Sequence, residues 1–215
     1  MEVRAFVQAR MSSRRFPGKV LAPFRGRPIL AHVVGAVREA LPAVPIVVVT
    51  SSQPSDDPLA LYAKSLDVAV FRGPLDDVFG RFRQALAAHP AARVLRICAD
   101  SPLLSPNVLR LVTGAAESGR HDLVTTTARR TFPKGENAEV IRAETLLALD
   151  PDELDDDDRE HVTRFLHRHP ERFRILNVES GQPELAELDH AVDTIDDLAR
   201  LEALGASDPG IRAVG

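Results

Sequence analysis

The sequence predicts an α/β protein with a mostly parallel, doubly wound sheet. Strand and helix patterns alternate four times between residues 3 and 118, and strand–helix–strand connections within one sheet are right-handed in nearly all proteins. The run Pro45–Thr50 is rich in β-branched residues and does not alternate with polar ones, as in a parallel strand covered on both faces. No repeat, low-complexity segment or linker interrupts the 215 residues, so one domain is expected.

The first half of the chain is predicted element by element from its apolar periodicity. Val3–Val7 is an apolar run of strand type that leads into a polar loop. In the segment 28–41, apolar side chains recur at the spacing of a helix packed against a sheet, and Pro28 suits its first turn. The same criteria predict helices at 57–66, 76–88 and 106–118 and strands at 68–71 and 93–98.

The second half is less regular. Residues 131–137 are rich in turn-forming residues and are expected to form a loop. The acidic run Asp155–Asp158 is interpreted as a solvated loop or as the first turn of a helix that begins near Arg159, because carboxylates favour a helix N-terminus. Strands are predicted at 122–126, 138–141, 174–178 and 188–192, and helices at 143–149 and 195–204.

Composition argues against several classes of partner. The net charge of -4 gives no support for a nucleic-acid or membrane partner, and no apolar stretch approaches the roughly 18 residues of a membrane span. Cys98 is the single cysteine, so an internal disulfide is excluded. It lies in an apolar run, which predicts a buried, unreactive thiol. With no leader-like N-terminus, a cytoplasmic protein is expected.

A cationic loop follows the first predicted strand. Residues 8–19 contain Arg10, Arg14, Arg15 and Lys19. Ligands of open parallel sheets bind at the carboxyl ends of the strands, where these cations can chelate phosphate oxygens and the amides of residues 11–13 can form an anion-binding concavity. The loop matches neither a Walker A motif nor G-x-G-x-x-G. Its composition alone leaves a surface loop with scattered basic residues as an equal alternative.

Two aspartates are expected at the same edge of the sheet. Asp100 follows the strand 93–98, and Asp193 follows the strand 188–192. A carboxylate beside a phosphate site is repelled unless a cation joins them, and Mg²⁺ does so with one or two carboxylates and phosphate oxygens. The pair therefore predicts a Mg²⁺ site next to the cationic loop. Helix capping is the alternative for each aspartate.

Seven motifs, in order along the chain, resemble the acylneuraminate cytidylyltransferase family, which includes the synthetases that activate 3-deoxy-manno-octulosonate as its CMP ester. The resemblance covers nearly the whole chain and extends to the branch linked to spore-coat polysaccharide biosynthesis. The motifs are Gln8-Ala9-Arg10-x-x-Ser13-x-Arg15-Phe16-Pro17-Gly18-Lys19-x-Leu21, Val70-Phe71-Arg72-Gly73, Asp76-Asp77-Val78, Arg96-Ile97-x-Ala99-Asp100-Ser101-Pro102-Leu103, Arg130-Thr131-Phe132-Pro133-x-Gly135, Arg159-Glu160-His161-Val162-Thr163 and Val192-Asp193-Thr194.

The resemblance implies a Rossmann-like nucleotidyltransferase domain over residues 1–215, with 130–178 as an inserted, extended segment for the acceptor and for dimerisation. It implies an enzyme that transfers CMP from CTP to a sugar acid with Mg²⁺, releases pyrophosphate and forms a homodimer. The sequence departs from the family pattern at three positions, with Ala99 in place of glycine, Phe16 in place of leucine and Asn137 in place of aspartate. The last change is expected to alter the choice of acceptor.

Roles for individual residues follow from the resemblance, by position. Lys19, Arg15 and Asp100 are the catalytic candidates, and Asp100 and Asp193 the Mg²⁺ ligands. The nucleotide-binding candidates are Gln8, Ala9, Arg10, Met11, Ser12, Ser13, Arg15, Lys19, Arg72 and Asp77, and the acceptor-binding candidates are Arg130, Asn137, Glu139 and His161. Capping and surface ion pairing explain Arg72 and Asp77 equally well, and a structural or interface role is the alternative to a general base for His161.

Three other functions remain open from the residues alone. The first is a nucleotidyltransferase that uses another nucleotide or acts on a sugar phosphate. The second is a glycosyltransferase of related fold, although Asp100-Ser101-Pro102 lacks the Asp-x-Asp pattern of those enzymes. The third is a non-catalytic nucleotide-binding subunit, which the retention of the cationic loop and both aspartates argues against.

Overall fold

The computed structural model describes residues 2–207, with side chains through residue 204. Its strands are β1 (Val3–Gln8), β2 (Pro23–Phe24), β3 (Arg27–Pro28), β4 (Ile46–Ser51), β5 (Ala69–Gly73), β6 (Arg93–Cys98), β7 (Leu123–Thr125), β8 (Ala138–Arg142) and β9 (Ile175–Asn177). Its α-helices are α1 (Ile29–Ala40), α2 (Asp57–Ser65), α3 (Val78–Ala88), α4 (Pro106–Ala116), α5 (Ala143–Ala148), α6 (Asp156–Glu160), α7 (Arg164–Arg168) and α8 (Ile195–Ser207). The ends of the predicted domain, residue 1 and residues 208–215, lie outside the described residues.

The central sheet has seven strands in the order β5-β4-β1-β6-β8-β7-β9. The pairs β5–β4, β4–β1, β1–β6 and β7–β9 are parallel, whereas β8 runs antiparallel to both of its neighbours. The sequence therefore predicted a mostly parallel sheet correctly. Because β8 is reversed, its first residue, Ala138, pairs with Ile97 near the end of β6.

Helices cover both faces of the sheet. One apolar cluster joins α1, α2 and α4 to sheet residues that include Ala5, Val7 and Val48. The other joins α3, α5 and α7 to Phe6, Val47 and Val49. Successive strand residues point to opposite faces, so both clusters draw on the same strands, and every residue of β4 is buried. This is the doubly wound arrangement expected from the uninterrupted apolar run at 45–50.

The strand predicted at 188–192 does not form. Its backbone instead pairs with the loop 131–137 through an isolated bridge between Lys134 and Asp189, in which Lys134 N donates to Leu188 O at 2.9 Å and His190 N donates to Lys134 O at 2.6 Å. The partner of this segment is therefore a loop, not a strand. The sequence also missed the β2–β3 hairpin, whose turn uses positive φ angles at Arg25 and Gly26.

The acidic run begins α6. Asp155 accepts a hydrogen bond from Asp158 N at 2.8 Å, and the Asp158 side chain accepts one from Asp155 N, so the two residues form a capping box. The buried Asp158 also pairs with Arg164 at 2.6 Å and Arg168 at 2.9 Å. The interpretation as a first helical turn is thus correct, but this helix ends at Glu160, close to where the sequence predicted its start, and a separate helix, α7, follows. The carboxylates of Asp155 and Asp158 fix α6 against α7.

Segment 130–178 contributes to the core as well as to the surface. Its strand β8 lies inside the sheet between β6 and β7, and its residues Val162, Phe165 and Leu166 are buried. Among the described residues, no helix is both long enough and apolar enough to cross a membrane.

Candidate active site

A buried lysine joins the two aspartates predicted to bind metal. Lys19 Nζ lies 2.9 Å from Asp100 Oδ2 and 3.1 Å from Asp193 Oδ1, and it donates to the carbonyl oxygen of Val192 at 2.8 Å. Lys19 extends from the cationic loop, while the aspartates come from segments 81 and 174 residues away. The structure therefore brings Lys19, Asp100 and Asp193 together at the carboxyl edge of the sheet.

Asp193 is surrounded by cations. Its Oδ2 lies 3.0 Å from Arg15 Nη2 and 3.1 Å from Lys134 Nζ, while its Oδ1 faces Lys19. Burial would raise the pKa of the Asp193 carboxyl, but hydrogen bonds from Lys134 and Lys19 hold that pKa below its usual value. Asp193 is therefore a carboxylate at neutral pH.

The side chain of Asp193 does not cap a helix. Thr194 and Asp197 cap α8 instead, because Thr194 Oγ1 accepts from Asp197 N at 3.2 Å and Asp197 Oδ2 accepts from Thr194 N at 2.8 Å. Asp100 is not a cap either, since α4 begins later, at Pro106. The helix-cap alternative is wrong for both aspartates, and both carboxylates face the site.

The loop that carries Lys134 approaches the site closely because of Gly135. Gly135 has a φ of +99°, and a Cβ atom there would lie 2.7 Å from Ala191 N and 2.8 Å from His190 C. Such contacts are too short for any residue with a side chain. The glycine therefore lets residues 131–137 pack directly on residues 188–192, which places Lys134 against Asp193.

The start of the cationic loop is held by the buried carboxylate of Asp56. Asp56 is fully buried and accepts hydrogen bonds from Met11 N at 2.7 Å, Ser51 N at 3.0 Å and Thr50 Oγ1 at 2.8 Å. Hydrogen bonds from Ser51, Met11 and Thr50 outweigh burial and hold the pKa of Asp56 below its usual value. The amide of Met11 is therefore already engaged, whereas those of Ser12 and Ser13 have no acceptor within the described part of the chain.

The residue before Met11 contacts the end of α6. Arg10 Nη2 lies 2.9 Å from Glu160 Oε1, and both side chains are partly exposed. His161, the next residue, is exposed. The motif Arg159-Glu160-His161 thus reaches the cationic loop through Glu160, a residue to which the sequence assigned no role.

A buried polar network lies beside the loop on the sheet. Gln8 Oε1 accepts from Arg96 Nη2 at 3.0 Å, and Arg96 Nη1 donates to Glu139 Oε2 at 2.6 Å. Glu139 also accepts from Thr163 Oγ1 at 2.9 Å and lies 3.2 Å from His167 Nε2. Burial would raise the pKa of Glu139, but His167 and Arg96 lower it to about 2. Glu139 therefore faces the protein interior, where it holds Arg96.

The remaining candidates lie around these groups. Arg72 donates to Ser51 O and Gln53 O, each at 2.9 Å, and so ties the end of β5 to the end of β4. Asp77 caps α3 by accepting from Gly80 N at 2.8 Å. Ala9 is buried, Ser12 and Arg130 are exposed, and Ser13 and Asn137 are half-buried.

Sequence reasoning missed four residues of this region: Lys134, Asp189, Asp56 and Glu160. Lys134 occupies the position that the motif Pro133-x-Gly135 leaves unspecified. Its Nζ lies 2.8 Å from Asp189 Oδ2. The backbone bridge that brings these two residues together joins a loop to an irregular segment, so apolar periodicity does not predict it. Asp56 lies in the loop after the predicted strand 45–50, and this position at the carboxyl edge of the sheet is the one feature from which a role in the site could have been predicted.

Comparison with known proteins identifies the family. A sequence model described as cytidylyltransferase matches residues 5–198, which include every aspartate and cation described above. The chain belongs to the cytidylyltransferase family. It is accordingly a nucleotidyltransferase, and the resemblance drawn from the seven motifs is confirmed.

Individual members of the family are similar over most of the chain. The spore coat polysaccharide biosynthesis protein SpsF of Bacillus subtilis is 29% identical over 209 residues, covering 94% of this chain and 86% of that protein. A cytidylyltransferase structure from Leptospira borgpetersenii superposes with a TM-score of 0.91 at 26% identity, covering 99% and 90% of the two chains. A CMP:2-keto-3-deoxy-manno-octonic acid synthetase solved with CTP shares the fold, with a TM-score of 0.73, 16% identity and coverage of 96% and 99%.

Proposed function

We propose that this protein transfers CMP from CTP to a sugar acid, with Mg²⁺ and with release of pyrophosphate, in the synthesis of a cell-surface polysaccharide. The observation that carries this proposal is the meeting of Asp100 and Asp193 at Lys19, beside a loop rich in arginine. Membership of the cytidylyltransferase family supports the transferred group. The CTP complex of the octonic acid synthetase supports the donor, and the spore-coat relative supports the polysaccharide.

The two aspartates suit a hard divalent cation. Mg²⁺ in nucleotide enzymes takes one or two carboxylates and fills its other positions with phosphate oxygens and water. The side chains of Asp100 and Asp193 are 28% and 17% exposed, so they are accessible from the site yet fixed by Lys19. When bound, Mg²⁺ would offset negative charge on the phosphates at Asp100 and Asp193.

The protein's own residues would position the reactants. The cations of the loop, above all Arg15 and Lys19, would bind the phosphates that leave as pyrophosphate and offset their charge. The acceptor hydroxyl then attacks the α-phosphorus in line with the departing pyrophosphate. No enzyme nucleophile is needed, because positioning and charge neutralisation supply most of the rate enhancement in such transfers.

The acceptor is proposed to lie on the side of loop 131–137. Arg130 precedes this loop and is exposed, and Asn137 is its last residue and is half-buried, so both are candidates for direct contact. Glu139 was predicted to contact the acceptor, but its carboxylate is buried and paired with Arg96, so it is not proposed as a direct contact. His161, directly after the end of α6, is exposed and is also proposed for the acceptor side. A homodimer that uses part of segment 130–178 completes the proposal.

A nucleotide panel tests the donor. The purified protein is incubated with Mg²⁺ and CTP, UTP, GTP, ATP or dTTP, together with sugar acids or sugar phosphates, and pyrophosphate release and the melting temperature are measured. CTP is expected to raise the melting temperature most and to support turnover with a sugar acid, since a ligand that binds the native state stabilises it. Lys19→Met should abolish turnover, whereas Lys64→Met, on the exposed surface of α2, should not. Turnover with another nucleotide but not with CTP would overturn the proposed donor.

A further inference from the structure

The cluster around Asp193 is electrically balanced by the protein itself. Three cations, Lys19, Arg15 and Lys134, lie within ion-pair distance of three carboxylates, those of Asp100, Asp193 and Asp189. A divalent cation that entered alone would add two uncompensated positive charges to this neutral group. A complex of the same cation with a nucleoside triphosphate has a net negative charge, so it would not add positive charge to the group. The charges thus favour a metal that arrives with its nucleotide.

Lys134 and Lys19 each have two anionic partners, but only Lys134 has one, Asp189, that is not a candidate metal ligand. Lys134 Nζ lies 2.8 Å from Asp189 Oδ2 and 3.1 Å from Asp193 Oδ2. It can therefore release Asp193 and still keep a carboxylate. A lysine is ordinarily protonated at neutral pH, so Lys134 carries its charge whichever of the two carboxylates it contacts.

The choice of lysine at this position is informative. Only three of the 27 cationic side chains are lysines, and two of these, Lys19 and Lys134, contact Asp193. An ammonium group is a compact, strongly hydrated charge on a flexible stem, whereas a guanidinium group forms a rigid fork suited to lasting bidentate contacts. A lysine is thus the cation that exchanges one oxygen partner for another most easily.

We propose that Lys134 is a positioning residue that occupies Asp193 in the nucleotide-free protein and yields it when a metal–nucleotide complex binds. Asp189 retains Lys134 during the exchange. A divalent cation alone therefore binds weakly, and it binds tightly only together with the nucleotide. This inference rests on the proposed function in one respect, the assignment of Asp193 as a metal ligand.

Titration of the full chain with Mn²⁺ in the absence of nucleotide tests the exchange. Bound Mn²⁺ is measured by water-proton relaxation, which needs no turnover. Lys134→Met removes one charge near the metal position and should tighten Mn²⁺ binding about tenfold, from the Coulomb energy of one charge removed near a dication in high dielectric. Asp189→Asn leaves Asp193 as the sole carboxylate within reach of Lys134 and should weaken binding. Lys64→Met is the matched control and should leave it unchanged.

The opposite changes in Mn²⁺ affinity distinguish a positioning role of Lys134 from a purely structural one. If Lys134 and Asp189 only held the loop 131–137 in place, both variants would weaken binding. Equal Mn²⁺ affinity in the wild type and Lys134→Met, no binding to either, or shifts in the same direction would each overturn the proposal. Circular dichroism confirms that the variants are folded.

A second arm separates this inference from the proposed function. Mn²⁺ affinity is measured again with CTP present, and it should rise well above the nucleotide-free value. If CTP has no effect but the two variants still shift in opposite directions, the exchange at Asp193 stands and the donor assignment falls. If CTP is turned over but the variants do not shift, the donor stands and the role of Lys134 falls.

Discussion

Replacing Asp56 by asparagine would loosen the cationic loop without touching the reactants. One oxygen of Asp56 accepts from Met11 N, and the other accepts from Ser51 N, Thr50 Oγ1 and Ser51 Oγ. An asparagine has one carbonyl oxygen and one amide group that only donates. Whichever way the side-chain amide is turned, its NH₂ group faces a backbone N–H group, either that of Met11 or that of Ser51. These backbone donors are fixed and cannot rotate away. One buried amide is left without an acceptor.

The size of the effect follows from that unsatisfied amide. Leaving a buried donor unpaired costs about 1–3 kcal/mol, and Asp56 is fully buried, so solvent cannot replace the lost bond. We expect Asp56→Asn to lower the free energy of unfolding by about 2 kcal/mol. Because Met11 belongs to the cationic loop, the variant should also bind the triphosphate more weakly.

Urea unfolding at two pH values measures this effect. The native pKa of Asp56 is depressed, so its charge stabilises the fold above the unfolded-state pKa, about 3.9, and this contribution is lost as the pH falls through the native value. The difference between the wild type and Asp56→Asn should therefore be largest near neutral pH and shrink toward pH 3. A variant as stable as the wild type at pH 7, or a difference that grows in acid, would refute this reasoning.

Three further substitutions probe other parts of the site. Asp100→Asn should abolish CMP transfer but keep the melting temperature within a few degrees, because its partly exposed carboxylate lies outside the apolar core; a clear loss of secondary structure would contradict this. Glu139→Gln should destabilise the protein by about 3–5 kcal/mol, the cost of leaving one partner of a buried ion pair unpaired, as measured by urea unfolding; an unchanged midpoint would show that Arg96 finds another partner. Gly135→Ala should cost about 1–3 kcal/mol from strain at its positive φ and weaken nucleotide-dependent metal binding, and an unaltered thermal melt would exclude the close approach of its loop.

The sequence predicted the parts of this fold that depend on local periodicity. The apolar run at 45–50 indicated β4, because a strand buried on both faces needs apolar residues at every position. The meeting of Asp100 with Lys19 was also predictable, since residues that follow neighbouring parallel strands reach the same edge of a sheet.

Contacts between distant irregular segments were not predictable in this way. Segment 188–192 has the composition of a strand but pairs with a loop, so its apolar residues gave a false signal. Asp56 and Met11 are 45 residues apart, and Arg10 and Glu160 are 150 apart. These pairs depend on the path of whole loops, and no repeat in the chain encodes them.

Because β8 is reversed, the loop before it reaches the same edge of the sheet as the loops after β1 and β6. The site is therefore built from two parts of the chain that are far apart in sequence. Residues 131–137 enter the site at the start of β8, whereas the cationic loop and Asp100 follow the ends of β1 and β6. On the proposed assignment, the triphosphate is held by the first hundred residues and the sugar by a loop that comes later. Changes in that loop that keep Lys134 and Gly135, which lie on the side of Asp193, would then alter the choice of sugar and leave the donor side intact. On this assignment, a chimaera that carries residues 127–133 of a relative and keeps Lys134 and Gly135 is a direct route to new sugar specificity.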